Sequence, residues 1–117
     1  MHNPVEIGLR GIAASAALER YIGAEARELE RICDRIGSCR VSAEALHRGK
    51  RQGGQFAVRL VITLPGSEVV VNREHGDDVY IAVRDAFAAA GLQLKDYMSR
   101  LGNVGRRSRN GTPNPGS

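Results

Sequence analysis

Apolar positions along the chain change their spacing three times, and each change marks the start of a different element. Val5, Ile7 and Leu9 alternate with Glu6, Gly8 and Arg10, the period of two expected of a half-buried strand. From Ser15 to about Ile36 the spacing becomes helical. Leu18, Ile22, Leu29, Ile32, Cys33 and Ile36 form one stripe, with Ser15 placed to cap the start and Gly37 and Ser38 to stop the end. Alternation then returns in Val41, Ala43 and Ala45, more strongly in Phe56, Val58, Leu60, Ile62 and Leu64, and the β-branched stretch "EVVVNR" predicts one more strand. A final helical stripe runs through Val79, Val83, Ala86, Phe87, Ala90, Leu94, Tyr97, Met98 and Leu101.

The joints fit this division. "HRGKRQGG", His47 to Gly54, is too polar and glycine-rich for a strand, and "LPGS" sets Pro65 and Gly66 in the central positions of a type II turn. Both read as hairpin connections. Asp77 or Asp78 caps the last helix and sets negative charge against the positive end of its dipole. The predicted order is β-α-β-β-β-α, an α+β fold in which a four-stranded sheet carries two helices on one face. The first crossover is right-handed and its two strands are parallel if adjacent. Residues 1–101 form one domain, and "GNVGRRSRNGTPNPGS", residues 102–117, reads as a disordered basic tail.

Composition narrows the class. At 117 residues the chain has room for one core, and its 42% hydrophobic content excludes a wholly disordered protein. No apolar run approaches the roughly 20 residues that cross a bilayer. The N-terminus lacks the pattern of a signal peptide, so a cytoplasmic location is expected. Cys33 and Cys39 have no histidine at metal-ligand spacing and read as reduced thiols without a function.

Catalysis finds little support. His2, His47 and His75 are scattered over a terminus, a loop and a turn, and no nucleophile stands beside a base. The carboxylates of Asp77 and Asp78 are consecutive, so they diverge at a helix start instead of converging on a substrate. No glycine pattern joins a strand to a helix in the manner of a phosphate-cradling loop. The expectation is a protein that is not an enzyme, with no cofactor, no metal, no small-molecule substrate and no membrane.

The formal net charge of +4 is unevenly spread: residues 46–60 hold four basic groups and no acidic one. Arg48, Lys50 and Arg51 make the hairpin a candidate arm for phosphates, and Arg106, Arg107 and Arg109 add charge to the tail. On the first helix Arg20, Arg27, Arg31 and Arg35 fall within an arc of roughly 80° at about 100° per residue. Glu19, Glu28, Glu30 and Asp34 flank that ridge, so a salt-bridged, solvated face is as good a reading as a binding one. Aromatic residues are scarce at 4%, and Phe56, Phe87 and Tyr97 occupy core-facing positions, so contacts to shape and phosphate are expected to outweigh base stacking.

The element order, "ALERYI" and "LERICDRI" on the first helix, the "PG" hairpin and "DVYIAVRDAF" opening the last helix together resemble the ribosome hibernation-promoting factor and ribosome-associated inhibitor A family, also known as sigma-54 modulation proteins. The likeness spans roughly Val5 to Arg100, and the spacing of Asp78, Tyr80, Ala82 and Val83 is its most specific part. It implies a stress or stationary-phase translation inhibitor, here a short form. Such a protein binds small-subunit rRNA in the decoding channel of the small ribosomal subunit and blocks messenger and transfer RNA. By position it also implies that Arg10, Arg35, Lys95, Arg100 and, more weakly, Arg73 contact rRNA, alongside the charge-based candidates Arg27, Arg31, Arg48, Lys50 and Arg51. The chain departs from the basic pattern of the family at Glu25, Glu28, Ala89 and Leu92. Gly91 adds a helix-propensity cost of about 1 kcal/mol relative to alanine. Two further readings stay open: a generic double-stranded RNA module, which normally needs a basic start to its last helix, and a protein-interaction module suggested by exposed Ile81 and Leu92.

Overall fold

The computed structural model describes residues 5–46, 55–76 and 78–110, with side chains described as far as residue 102. The elements are β1 (Glu6–Arg10), α1 (Ala16–Ile32), β2 (Ser38–Leu46), β3 (Gln55–Leu64), β4 (Ser67–Gly76) and α2 (Val79–Asn110). They form the expected α+β arrangement, a mixed sheet in the order β1-β2-β3-β4 with the two helices on one face. β1 lies parallel to β2, while β2–β3 and β3–β4 are antiparallel.

Register explains the core. Val41 stands opposite Leu60, which stands opposite Val71, and the next row joins Cys39, Ile62 and Val69. All six are buried. Because side chains alternate across a strand, these rows share the face covered by Leu18, Ile22, Ala26 and Leu29 of α1 and by Ala82, Val83, Ala86, Phe87, Ala90 and Leu94 of α2. The Tyr97 hydroxyl donates to the Pro65 carbonyl at 3.2 Å, tying α2 to the β3–β4 turn. In that turn Gly66 takes φ +69°, the left-handed value that the second central residue of a type II turn requires.

Both helix starts are capped by local side chains. Ser15 Oγ accepts from the Leu18 N–H at 3.2 Å, and Asp78 Oδ1 accepts from the Tyr80 N–H at 2.8 Å. Asp78 is therefore the capping residue; Asp77 lies outside the described residues, as do Arg48, Lys50 and Arg51 of the expected arm. The disordered tail expected from residue 102 is corrected over its first part, because α2 runs on as helix to Asn110; residues 111–117 lie outside the described residues.

Two further features differ from the sequence expectation. α1 stops at Ile32, about four residues early, because Cys33 turns to extended backbone (φ −143°, ψ 117°) after donating its N–H to Leu29 O. Cys33 and Ile36 remain buried through the turn that follows, which is why their spacing imitated a continuing helix. The turn delivers Gly37 to β3, where its N–H donates to Thr63 O at 2.8 Å and starts β2 in register. The second difference is Gly91, which is buried at the contact between helices. A Cβ there would lie 3.4 Å from Ile32 Cδ1 and 3.8 Å from Leu29 Cδ2.

Connectivity gives the molecule a polarity. The register pairs Arg10 with Glu44, Leu46 with Gln55, and Gln55 with Gly76, so the last residues of β1, β2 and β4 and the first of β3 lie at one end of the sheet. From that end α1 and α2 both depart, running side by side in the same direction. The β2–β3 connection, residues 47–54, also begins and finishes there.

Candidate nucleic-acid interface

The sheet face opposite the helices follows from the same alternation. On it, Gly8, Ser42, Arg59 and Asn72 form one row, and Arg10, Glu44, Ala57 and Glu74 the next toward the hairpin end. Gly8, Ser42 and Ala57 are small, so the flanking side chains stand around a concavity of about 500 Å³. Arg10, Arg59 and Arg73 line it. Neither Arg10 nor Arg59 forms an ion pair among the described residues, and Arg59 Nη1 is oriented by a 3.3 Å hydrogen bond to Asn72 Oδ1. Arg73, in register with Val58, starts from the helix side of β4 and donates from Nη1 to its neighbour's carbonyl, Asn72 O, at 2.9 Å. One row further from the hairpin end, Arg40 is neutralised by Glu6 at 2.9 Å. Glu44 and Glu74 also line the concavity, so its positive field is local to the arginines.

The helix side is arranged differently. Arg31 pairs with Glu28 at 3.5 Å, Arg35 with Asp34 at 3.9 Å and Arg100 with Asp96 at 3.2 Å, all with exposed side chains. Such pairs stabilise little but cancel much of the outward field. Arg27 is exposed without an ion pair among the described residues. Arg35 lies beyond the end of α1, so the expected four-residue ridge is three helical arginines followed by one in a turn. Lys95 lines a crevice of about 250 Å³ between the helices, floored by Leu29, Ile32, Phe87 and Gly91. Glu25, Glu28 and Leu92, three positions where the chain departs from the basic family pattern, line the same crevice, and Leu92 is 69% exposed. Ile81, expected to be exposed, is half-buried.

The structure thus brings Arg10 and, from the helix side of β4, Arg73 to the lining of one concavity and separates them from Arg27, Arg31, Arg35, Lys95 and Arg100. Sequence reasoning missed Arg59, although strand alternation placed it opposite Leu60; what it lacked was the register that sets Arg59 beside Gly8, Ser42 and Asn72. It also missed Tyr21 and Tyr80. Their rings, from the second turn of α1 and the first turn of α2, meet at 5.2 Å between centroids with planes tilted by 60°. Burial raises the Tyr21 phenol above its ordinary pKa, and the charge of the nearby Glu25 carboxylate adds to the rise while Arg84 opposes it.

Redox and metal chemistry have no footing among the described residues. Cys33 and Cys39 are free and buried, and burial followed by the charge of Glu30 pushes the Cys39 thiol up to about 11. A thiol at that value is almost wholly protonated at neutral pH and a poor nucleophile. No group of three or more histidine, cysteine, aspartate or glutamate side chains among the described residues converges in a way that could hold a metal ion, and no helix among the described residues is long and apolar enough to cross a membrane.

Comparison with known proteins gives a consistent picture. The family model described as sigma 54 modulation protein / S30EA ribosomal protein matches residues 5–102. No curated protein gives a significant match. Among solved structures, the N-terminal domain of Protein Y from Thermus thermophilus superposes with a TM-score of 0.68 at 20% identity, covering 81% of this chain and 99% of that one. A ribosomal subunit interface protein from Coxiella burnetii gives 0.60 at 25% identity with the same coverage.

Proposed function

The chain belongs to the sigma 54 modulation protein / S30EA ribosomal protein family, and on that premise we propose that it is a ribosome-associated translation inhibitor of the hibernation type. It holds rRNA of the small subunit by its phosphates within the decoding channel and excludes messenger and transfer RNA by filling the space they need. The solved relative from Coxiella burnetii is described as a ribosomal subunit interface protein, which names the class of partner assigned here. No bond is made or broken in this mechanism, and it calls for no cofactor.

One observation within the chain carries the reading: Arg10 and Arg59, free of ion pairs among the described residues, stand over a concave floor of small residues on the end of the sheet from which the 47–54 connection departs. Arg48, Lys50 and Arg51 of that connection are proposed to extend the same contact along the backbone, and Arg73 to flank it. Each phosphate neutralised by such a side chain releases counterions, so affinity falls steeply as salt rises. Arg27 and Lys95 are secondary candidates. Arg31, Arg35 and Arg100 must first give up an acidic neighbour.

The generic double-stranded RNA module is the weaker reading. A phosphate approaching the start of α2 would meet the Asp78 carboxylate, which already takes the Tyr80 N–H. The protein-interaction reading rests on Leu92 beside the crevice between the helices, and binding through an apolar crevice would be insensitive to salt.

Co-sedimentation of the purified protein with small and large ribosomal subunits, at low and at moderate salt, tests the proposal. Pelleting with the small subunit that is lost as salt rises is the expected result. Absence of pelleting at low salt rejects it.

A further inference from the structure

We infer that Tyr21 and Tyr80 form a stacking platform for one unpaired nucleobase, so that the RNA met at this end of the molecule includes a splayed-out base as well as phosphates. The inference rests on the proposed function and specifies its substrate class, single-stranded or looped RNA in preference to continuous duplex.

The two residues are 59 positions apart in sequence. They meet because α1 and α2 leave the same end of the sheet side by side, which brings the second turn of α1 against the first turn of α2. With ring planes at 60° and centroids at 5.2 Å, the pair is tilted. Rings so inclined are not stacked face to face, so the pair leaves each ring a π-face outside the contact. Tyr80 is 37% exposed, among the most exposed of the large apolar side chains described. The remaining aromatics offer nothing comparable: Phe87 and Tyr97 are buried and Phe56 is half-buried against the core. A pair that only fastened the helices would gain by burying both rings, yet Tyr80 keeps more than a third of its surface in water.

Its surroundings hold the platform still. Asp78 Oδ1 accepts from the Tyr80 N–H at 2.8 Å, which fixes the backbone that carries the ring. Glu25 stands near the Tyr21 phenol. The Asp78 carboxylate is thus engaged with the protein, while exposed Arg84, one turn after Tyr80, is the cation beside the Tyr21 phenol. An aromatic face with an adjacent arginine offers stacking to a base and charge to its phosphate. Every base has a π-face, so such a platform accepts any sequence.

The chain has three tyrosines and no tryptophan, so tyrosine emission reports on the site directly. The full-length protein is titrated with an oligoadenylate of about ten nucleotides and with an abasic strand of equal length, a span that matches common single-strand site sizes. The expected result is quenching by the oligoadenylate and affinity roughly tenfold or more above that for the abasic strand. Tyr80→Phe preserves the difference. Tyr80→Leu, which keeps an apolar side chain against Tyr21 but no π-face, abolishes it while leaving the abasic affinity unchanged. Equal affinity of the native protein for the two strands overturns the platform and leaves the phosphate reading standing, as does a difference that survives in Tyr80→Leu. Failure of both strands to bind overturns the two together.

Discussion

The open face of the sheet and the outer face of the helices both carry arginines, but they offer them differently. On the helix side Arg31, Arg35 and Arg100 each stand within 4 Å of a carboxylate on the same or a neighbouring turn. On the sheet side Arg10 and Arg59 make no ion pair among the described residues, and the small side chains of Gly8, Ser42 and Ala57 leave room for a ligand between them. Counting basic residues would rank the helices first. Availability reverses that order, because a phosphate binds a cation in proportion to its unscreened field and not to its place in a tally.

The contrast can be broken most directly by reversing charge on the sheet side. Arg10→Glu with Arg59→Glu is expected to weaken small-subunit pelleting on the order of 100-fold at low salt and to flatten its salt dependence by about two phosphate equivalents. If pelleting is unchanged, the open face is not the interface. Next in size is the cap at the same end. Asp78→Ala removes the acceptor of the Tyr80 N–H and should cost about 1 kcal/mol in urea unfolding, while the loss of one negative charge raises affinity for an abasic strand, which makes no use of the tyrosine pair. Stability and binding moving in the same direction would contradict the division of roles.

Gly91→Ala probes the helix layer without touching charge. The added methyl meets Ile32 Cδ1 and Leu29 Cδ2 at ordinary contact distances, so the substitution is expected to raise stability by about 0.5–1 kcal/mol through helix propensity and leave pelleting unaltered. A destabilised protein would show that the helices tolerate no filling between them. The smallest effect is expected for Arg31→Ala with Arg35→Ala: a change below about 0.5 kcal/mol in stability and only a few-fold in pelleting, because both are exposed and already paired. A loss as large as that of the sheet-side double variant would erase the distinction between the faces.

Much of the architecture was legible before any coordinates. Alternation at Val41 to Ala45 and at Phe56 to Leu64 named the strands, the stripe from Val79 to Tyr97 named α2, and Ser15, Asp78, Pro65 and Gly66 marked their ends, because caps and turns are local chemistry that sequence states outright. The end of α1 was not legible. Ile36 is buried whether the chain continues as a helix or turns toward Gly37, and only the hydrogen bond from Gly37 to Thr63 on a distant strand chooses between them. Gly91 was similar: its cost was visible in the sequence, but its place opposite Ile32 and Leu29 depended on how closely two helices approach.

The candidate site divides along the same line. Sequence by itself determined that the chain is basic, that its charge gathers near residues 46–60, and which elements would form, since net charge, period and capping depend on residues close together in the chain. The tertiary structure decided which charges are free and which side chains meet. Arg10, Arg59 and Asn72 share a face only through the register of four strands, and Tyr21 reaches Tyr80 only because both helices start from one end of the sheet. Pairings of that kind join residues tens of positions apart, where the pattern along the chain carries no information about distance in space.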